Sequence, residues 1–488
     1  MNATRRDVLR MASGLAATTV ASSILSVEAL AASRSADDKA LPAFMSGHFE
    51  PVMDETTAFA LPVRGAIPSA LSGSYVRNGH NPKDGINPGA WFYGSGMVHG
   101  VRLSGGRVEW YRNRWVRTPA LAGAKLFRED GTMDLHASAA ATSIVRHAGR
   151  TLALQEVNLP FEITPELETV GAYDFDGALK TMMTAHPKIC PATGEMIFIS
   201  NSPLPPHLTY HVADKAGRLL TSEIIEGPGP SVIHDFAITK NHVIWFDGSL
   251  VLNLENRLAF PYGFDRGYRG RIGVMKRDRS GGEPPVWIDV DPHVSVHLAN
   301  SWEDESGRIV VEGPFMDEPS WRATSDFING SAPHGAMPVG GCYRSRWTID
   351  PAQRTAHNEI MDDLVTEFPT LNLAYTGRES RYSYACSFPG GGKETCGIAK
   401  YDLSTGERQN LSLPMGVYAG EPCFAADPTG PGEDDGWLLT YVTDLRTRQA
   451  ELWILDATRV AAGPVAAIEI PAWVPAGVHG SWLDDRET

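Results

Sequence analysis

The stretch Gly397-Ile398-Ala399-Lys400-Tyr401-Asp402-Leu403-Ser404-Thr405-Gly406 shows in one place the unit from which the chain is built. A short run rich in β-branched, aromatic and aliphatic residues meets an Asp-Leu-Ser-Thr-Gly turn, where the backbone reverses. The unit recurs. Arg107–Val116, Thr151–Gln155, Glu195–Ser200, His242–Phe246, Arg271–Lys276, Arg308–Glu312, Arg381–Ser387 and Glu451–Leu455 all read as strands, many bounded by Gly, Asp, Asn or Pro. No long 3.6-residue period appears outside the N-terminal leader. With 48 Gly and 34 Pro in 488 residues, the chain is rich in turn formers and poorly suited to a helical bundle. The fold class is all-β, as a sandwich, barrel or propeller. No strict internal repeat groups the strands. Pro314–Pro338 and Ser249–Gly270 read as long loops of the kind that cover a site, and no linker splits the chain into two cores.

Composition narrows the function. Asp and Glu number 58 against 43 Lys and Arg, a formal charge of −15. Such a surface repels phosphate backbones, so nucleic-acid binding is excluded as the main function. The five cysteines (Cys190, Cys342, Cys386, Cys396 and Cys423) contain no C-x-x-C, which argues against a zinc-thiolate or redox motif. Cys386 and Cys396 could pair after export, or remain buried thiols.

The leader reads Thr4-Arg5-Arg6-Asp7-Val8-Leu9-Arg10, then an uncharged stretch from Met11 to Val27, then Glu28-Ala29-Leu30-Ala31. A positive start, a mildly apolar segment and an A-x-A site predict a signal peptide over residues 1–31, and the paired arginines predict the twin-arginine route. The stretch is too short and too diluted by Ser, Thr, Gly and Ala for a membrane anchor. The expected location is periplasmic or extracellular, with residues 32–488 as one folded unit.

Among fifteen histidines, four sit beside strand ends and short turns: His186 in Thr184-Ala185-His186-Pro187, His234 in Ile233-His234-Asp235-Phe236, His297 before Asn300-Ser301-Trp302-Glu303, and His479 in His479-Gly480-Ser481-Trp482. Their spacing rules out a local H-x-x-x-H site on one helix. A radial β fold could gather them, but spacing alone does not choose this over four separate packing histidines.

The segments around them carry a resemblance. Gly73-Ser74-Tyr75-Val76-Arg77-Asn78-Gly79-His80-Asn81-Pro82, Trp91 to Gly100, and Asn113-Arg114-Trp115-Val116-Arg117-Thr118 look like the N-terminal signature of the carotenoid cleavage oxygenases. The four histidine segments resemble that family's iron-ligand sites, in the same order, so the match runs from about Gly73 to Trp482. The resemblance implies a seven-bladed β-propeller with a lid of loops and short helices. It implies one Fe(2+) per chain on the propeller axis, held by His186, His234, His297 and His479. Neutral imidazoles suit Fe(II) and leave its charge intact, with two positions open for dioxygen and water. It also implies that Glu156, Glu367 and Glu421 accept the outer N–H of ligand histidines.

The implied activity is cleavage of a C=C double bond of a carotenoid or apocarotenoid by O2, giving two carbonyl products. The partners are then a small hydrophobic substrate and O2, with peripheral membrane contact through an apolar loop left open. No catalytic residue beyond the iron site is required. Trp91, Phe92, Phe315, Trp321 and Phe327 are candidates for a tunnel wall or, equally, for core. His80, His99 and His293 are competing imidazoles, ranked behind the four because they lack the family context.

Stilbene-cleaving members tend to carry Lys before the first of the three glutamates. Here the residue is Gln155, which bears no charge and so favours a polyene over a phenolate. The rival readings are a stilbene- or phenylpropenoid-cleaving dioxygenase of the lignostilbene type, and a propeller that binds without catalysis. No H-E-x-x-H or activated serine supports a zinc hydrolase.

Overall fold

The computed structural model describes residues 41–486 except 131, 254, 256, 257, 340, 393 and 394. The predicted leader, residues 1–31, lies outside the described residues. Gly397–Asp402 is a strand, as its sequence predicts, paired on one side with Tyr382–Ser387 and on the other with Arg408–Leu411. The turn from Gly397–Asp402 into Arg408–Leu411 is closed by Asp402, whose Oδ1 accepts from the N–H of Ser404 at 3.0 Å. Arg271–Lys276 forms with the predicted bounds, and the other predicted runs form with ends shifted by a few residues.

These strands assemble into antiparallel sheets built mostly from consecutive segments. Ser143–His147, Arg150–Leu154, Phe161–Ile163 and Thr169–Ala172 make one sheet. Lys188–Ile189, Met196–Asn201, Leu208–Ala213 and Leu219–Ile224 make the next, and Phe236–Ile238, His242–Asp247, Arg271–Lys276 and Val286–Asp289 a third. An eight-stranded sheet follows, in which the long strand Thr355–Thr370 pairs with Tyr343–Asp350 at its start and Tyr382–Ser387 at its end. Two sheets contain strands distant in sequence. In one, Gly73–Arg77 pairs with Gly480–Asp484, with Tyr75 opposite Trp482, so the two ends of the described chain are tied by a ladder.

The core lies between sheets rather than in one centre. Val76, Val98 and Leu483 of the sheet carrying both chain ends pack on Ala153 and Phe161 of the next. Leu152 and Leu154 then meet Met196 and Phe198, Ile197 and Ile199 meet Phe236 and Trp245, and Phe246 and Ile272 meet Val311 and Trp347. Tyr75 and Val101 pack on Leu439 and Leu452. The strands in the middle of these sheets are buried, while outer strands such as Thr169–Ala172 and Leu219–Ile224 alternate exposed and half-buried residues.

The sequence reading of Pro314–Pro338 as a long loop is corrected. Ile309–Met316 continues as strand, and Glu318–Ile328 is an α-helix. Asp317 caps it by accepting from the Ser320 N–H at 3.0 Å, Pro319 sits in the first turn, and Trp321, Thr324, Phe327 and Ile328 form its buried stripe. At eleven residues the helix is too short to stand out against the surrounding strand pattern. No helix among the described residues is long and apolar enough to cross a membrane.

Candidate metal centre

The four histidines of the ligand-like segments meet. One nitrogen from each of His186, His234, His297 and His479 lies within 4.8 Å of all the others. The Nε2 atoms of His186 and His234 are 2.9 Å apart, and those of His234 and His297 3.2 Å. Each lies just before a strand, ahead of Lys188–Ile189, Phe236–Ile238, Asn300–Glu303 and Gly480–Asp484, so sheet packing brings together residues 48 and 63 positions apart in the chain.

Three of the rings are oriented from behind by carboxylates. Nδ1 of His234 lies 2.8 Å from Glu156 Oε1, Nδ1 of His297 2.7 Å from Glu367 Oε2, and Nδ1 of His479 3.0 Å from Glu421 Oε1. The structure therefore puts Glu156, Glu367 and Glu421 against three different histidines. A ring that donates Nδ1–H outward presents the lone pair of Nε2 inward. Burial and the neighbouring imidazoles hold His186 and His297 well below the usual histidine range, which keeps them neutral. Burial works against charge on His234 too, but Glu156 outweighs it and raises that ring. Burial pushes Glu367 up to about 7, while Glu156 falls to about 2 because His234 outweighs its own burial.

Local sequence explains the placement. Thr355–Thr370 shifts register between Glu367 and Thr370, and Phe368 there has a φ of 54°, a left-handed conformation that costs a bulky residue energy. The bulge turns Glu367 inward, and Phe368 N–H donates back to its Oε2. The ring of Phe368 then stands 5.4 Å from His297 and 5.7 Å from His479. In the last motif, Gly480 N–H donates to Glu421 Oε2 at 2.6 Å, and a Cβ on Gly480 would come within 2.9 Å of the Tyr75 hydroxyl. Ser481 Oγ donates to the Ile144 carbonyl at 2.6 Å. Asn300 donates to the carbonyls of Tyr375 and Arg378, so the Asn of the third motif anchors a neighbouring loop. Glu303 of the same motif is away from the centre and accepts from Asn241 and His242.

The N-terminal signature also reaches the centre through its backbone. Asn78 N–H donates to the His479 carbonyl at 3.0 Å, and Val478 N–H to that of Asn78 at 2.9 Å. His80 lines the cavity beside the centre and packs on Phe92, and burial lowers it to about 4. His99 bonds the Tyr111 hydroxyl, and His293 packs between Phe246 and Trp347, so neither joins the cluster.

A cavity of about 280 Å³ ends on His234, His297, Glu156 and Glu367. Trp91, Phe92 and Trp321 line it. Phe315 and Phe327 do not: Phe315 packs on Phe246 and Trp347 between sheets, and Phe327 is fully buried against Phe44, Phe49 and Trp91. Sequence reasoning did not single out Phe368, nor Leu250, Leu252, Phe260 and Tyr262, which line the cavity from Ser249–Gly270, read as a loop but holding the paired strands Leu250–Leu252 and Tyr262–Phe264. Gln155 is on the wall, as are Thr142, Thr184 and Asn201. All five cysteines are buried, and no disulfide joins Cys386 to Cys396.

The donor set fits a cation. Nε2 of His479 is buried without a hydrogen-bond partner. Two inward lone pairs as close as 2.9 Å repel each other unless a positive charge, a proton or a metal ion, lies between them. Four imidazoles without thiolate suit a divalent first-row metal such as iron.

Comparison with known proteins agrees in extent and in kind. The family described as RPE65, retinal pigment epithelial membrane protein, matches residues 49–484. A carotenoid cleavage oxygenase of Mycobacterium tuberculosis is 32% identical over 495 residues, covering 90% of this chain and 97% of the relative. The chain belongs to the carotenoid cleavage oxygenase family. Carotenoid 9,10(9',10')-cleavage dioxygenase 1 of Arabidopsis thaliana is 31% identical, covering 92% of this oxygenase and 91% of the plant protein. Among solved structures, the lignostilbene dioxygenase of Pseudomonas brassicacearum superposes with a TM-score of 0.80 at 26% identity, covering 92% of this chain and 100% of that one. Cobalt-substituted Synechocystis ACO gives 0.77 at 28%, covering 90% and 98%. The mostly-β oxygenase fold and the class of enzyme are thus shared across these relatives.

Proposed function

We propose that this oxygenase is a non-haem Fe(II) dioxygenase that cleaves a C=C double bond of a carotenoid or apocarotenoid with O2, giving two carbonyl products. The observation that carries the reading is an apolar cavity lined by His234 and His297, two of the four converging imidazoles. His186, His234, His297 and His479 would hold the metal, which when bound supplies the activation of dioxygen. Glu156, Glu367 and Glu421 keep the Nδ1 protons of three rings outward, so that Nε2 stays a ligand atom. The cavity walls bind an extended apolar chain and exclude water, with Trp91, Phe92, Phe260 and Trp321 supplying flat surfaces. Phe368, beside both His297 and His479, limits how far the substrate can travel and so which bond lies at the centre.

The architecture proposed is a seven-bladed propeller. The order of sheet packing supports it, with the eight-stranded sheet counted as two blades joined by Thr355–Thr370. The helix Glu318–Ile328 and the loop carrying Phe260 would form the lid. The leader supports export by the twin-arginine route.

A stilbene or phenylpropenoid substrate is the second reading, favoured by the likeness to the lignostilbene dioxygenase. Against it stands Gln155 on the cavity wall, which offers no cation to a phenolic oxygen. Incubation of iron-loaded protein with apocarotenals and with hydroxystilbenes, with aldehydes identified by mass, separates the two. Products from the polyenes support the proposal, and products only from the stilbenes replace it with the second reading. No product from either panel, together with no bound iron, returns the chain to a non-catalytic binding role.

A further inference from the structure

The three carboxylates behind the rings leave His186 without such a partner, yet its segment is held in place. The group that holds it is Asp235, next to His234 in sequence and with a side chain only 2% exposed. Its two oxygens gather three donors. Oδ1 accepts from Lys188 Nζ at 2.7 Å and from its own neighbour Phe236 N–H at 2.7 Å. Oδ2 accepts from Leu298 N–H at 2.8 Å. Lys188 is two residues after His186, and Leu298 directly follows His297. One buried carboxylate therefore links the backbones that carry three of the four histidines.

We infer that Asp235 is a positioning residue that sets the spacing of His186, His234 and His297. The inference rests on the reading that these histidines hold a metal. A carboxylate buried this deeply is costly unless both its oxygens are hydrogen-bonded, and here a cation and two backbone N–H groups serve them. The bonds are short and charge-assisted, so the three segments cannot drift apart without leaving a buried carboxylate unpaired. Thr184 adds a lighter tie between the first two segments: its hydroxyl donates to the His234 carbonyl at 3.2 Å and accepts from His186 N–H at 3.1 Å. His479 stands outside this arrangement, held separately by Glu421 through its ring and through Gly480 N–H. An asparagine at 235 would put an N–H donor where an acceptor is needed, opposite either Leu298 N–H or the Lys188–Phe236 pair.

The test uses the full chain titrated with Co(II) alone, whose visible absorption reports ligand geometry. Wild type is expected to bind one Co(II), and His479→Ala to lose it. Asp235→Asn is expected to bind about 10- to 100-fold more weakly, with a shifted visible band. If Asp235→Asn does not fold, Lys188→Met replaces it. That variant removes only the tie to the His186 segment and is expected to bind severalfold more weakly, again with a shifted band. Wild-type affinity and spectrum in the folded variant, with only a lower melting temperature, would overturn the inference and leave Asp235 a stabilising residue. A wild type that takes up no Co(II) would overturn the metal reading itself, and the inference with it.

Discussion

Nδ1 of His297 and Oε2 of Glu367 are 2.7 Å apart, and both side chains are nearly closed to solvent, at 9% and 5% exposed. Seventy residues separate them in sequence, and a single bulge at Phe368 brings the acid to the ring. The contact to His234 is more open, since Glu156 is 28% exposed.

That contrast orders the effects of removing charge. Glu367→Gln should weaken metal binding by about 10- to 100-fold, and Glu156→Gln by less, because the half-buried Glu156 side chain lets water take part of its role. Metal titration of both variants checks this. Wild-type affinity in Glu367→Gln, or a larger loss in Glu156→Gln, would contradict the ordering.

Loss of an inward nitrogen should cost more than loss of a carboxylate. His186→Ala and His479→Ala are each expected to exceed the ~10- to 100-fold penalty of an outer partner. Elemental analysis of the purified variants reads this directly. Iron at wild-type levels in either would remove that histidine from the centre.

Gln155 tests the substrate reading. Gln155→Lys puts a cation on the cavity wall, and a charged hydrogen bond to a phenolic oxygen is worth about 1.5–3 kcal/mol. The ratio of kcat/KM for a hydroxystilbene over an apocarotenal should rise about tenfold or more. An unchanged ratio would mean that the substrate ring does not reach position 155.

Phe327 carries the helix onto the core through Phe44, Phe49 and Trp91. Phe327→Ala should destabilise the protein by about 3–5 kcal/mol, because a fully buried aromatic leaves a cavity that its neighbours only partly fill. Denaturant unfolding measures it. A loss below about 1 kcal/mol would show that the helix packs independently of this side chain.

His48 makes stability depend on acid. It is buried against Tyr418, bonds Thr443 Oγ1 at 2.6 Å, and burial lowers it to about 3 from 6.5. Above pH 6.5 neither folded nor unfolded ring is charged, so the residue adds no pH dependence. Between about 6.5 and 3 only the unfolded chain binds the proton, and stability falls by about 1.4 kcal/mol per pH unit. His48→Gln should flatten the loss over that window, measured by unfolding at pH 7 and pH 5. An equal loss in both proteins would place the acid sensitivity elsewhere.

Much of this was legible in the chain. Alternation and turn chemistry are local, so strands such as Arg271–Lys276 and the turn at Asp402 follow from neighbouring residues alone. The helix Glu318–Ile328 was missed although its cap and stripe are present, because eleven residues between strands give too few turns to register a period.

The amino-acid sequence by itself determined a chain built mostly of β-strands, and its resemblance to a family singled out the four histidine segments and the three glutamates that accompany them. Only the tertiary structure decided which glutamate faces which ring, that Phe315 and Phe327 belong to the core while Phe260 and Tyr262 belong to the cavity, and that Asp235 joins three segments. The reason is physical. An apolar side chain reads the same whether it faces a neighbouring sheet or a substrate. A carboxylate finds its partner only when packing has set two distant backbones a few ångströms apart.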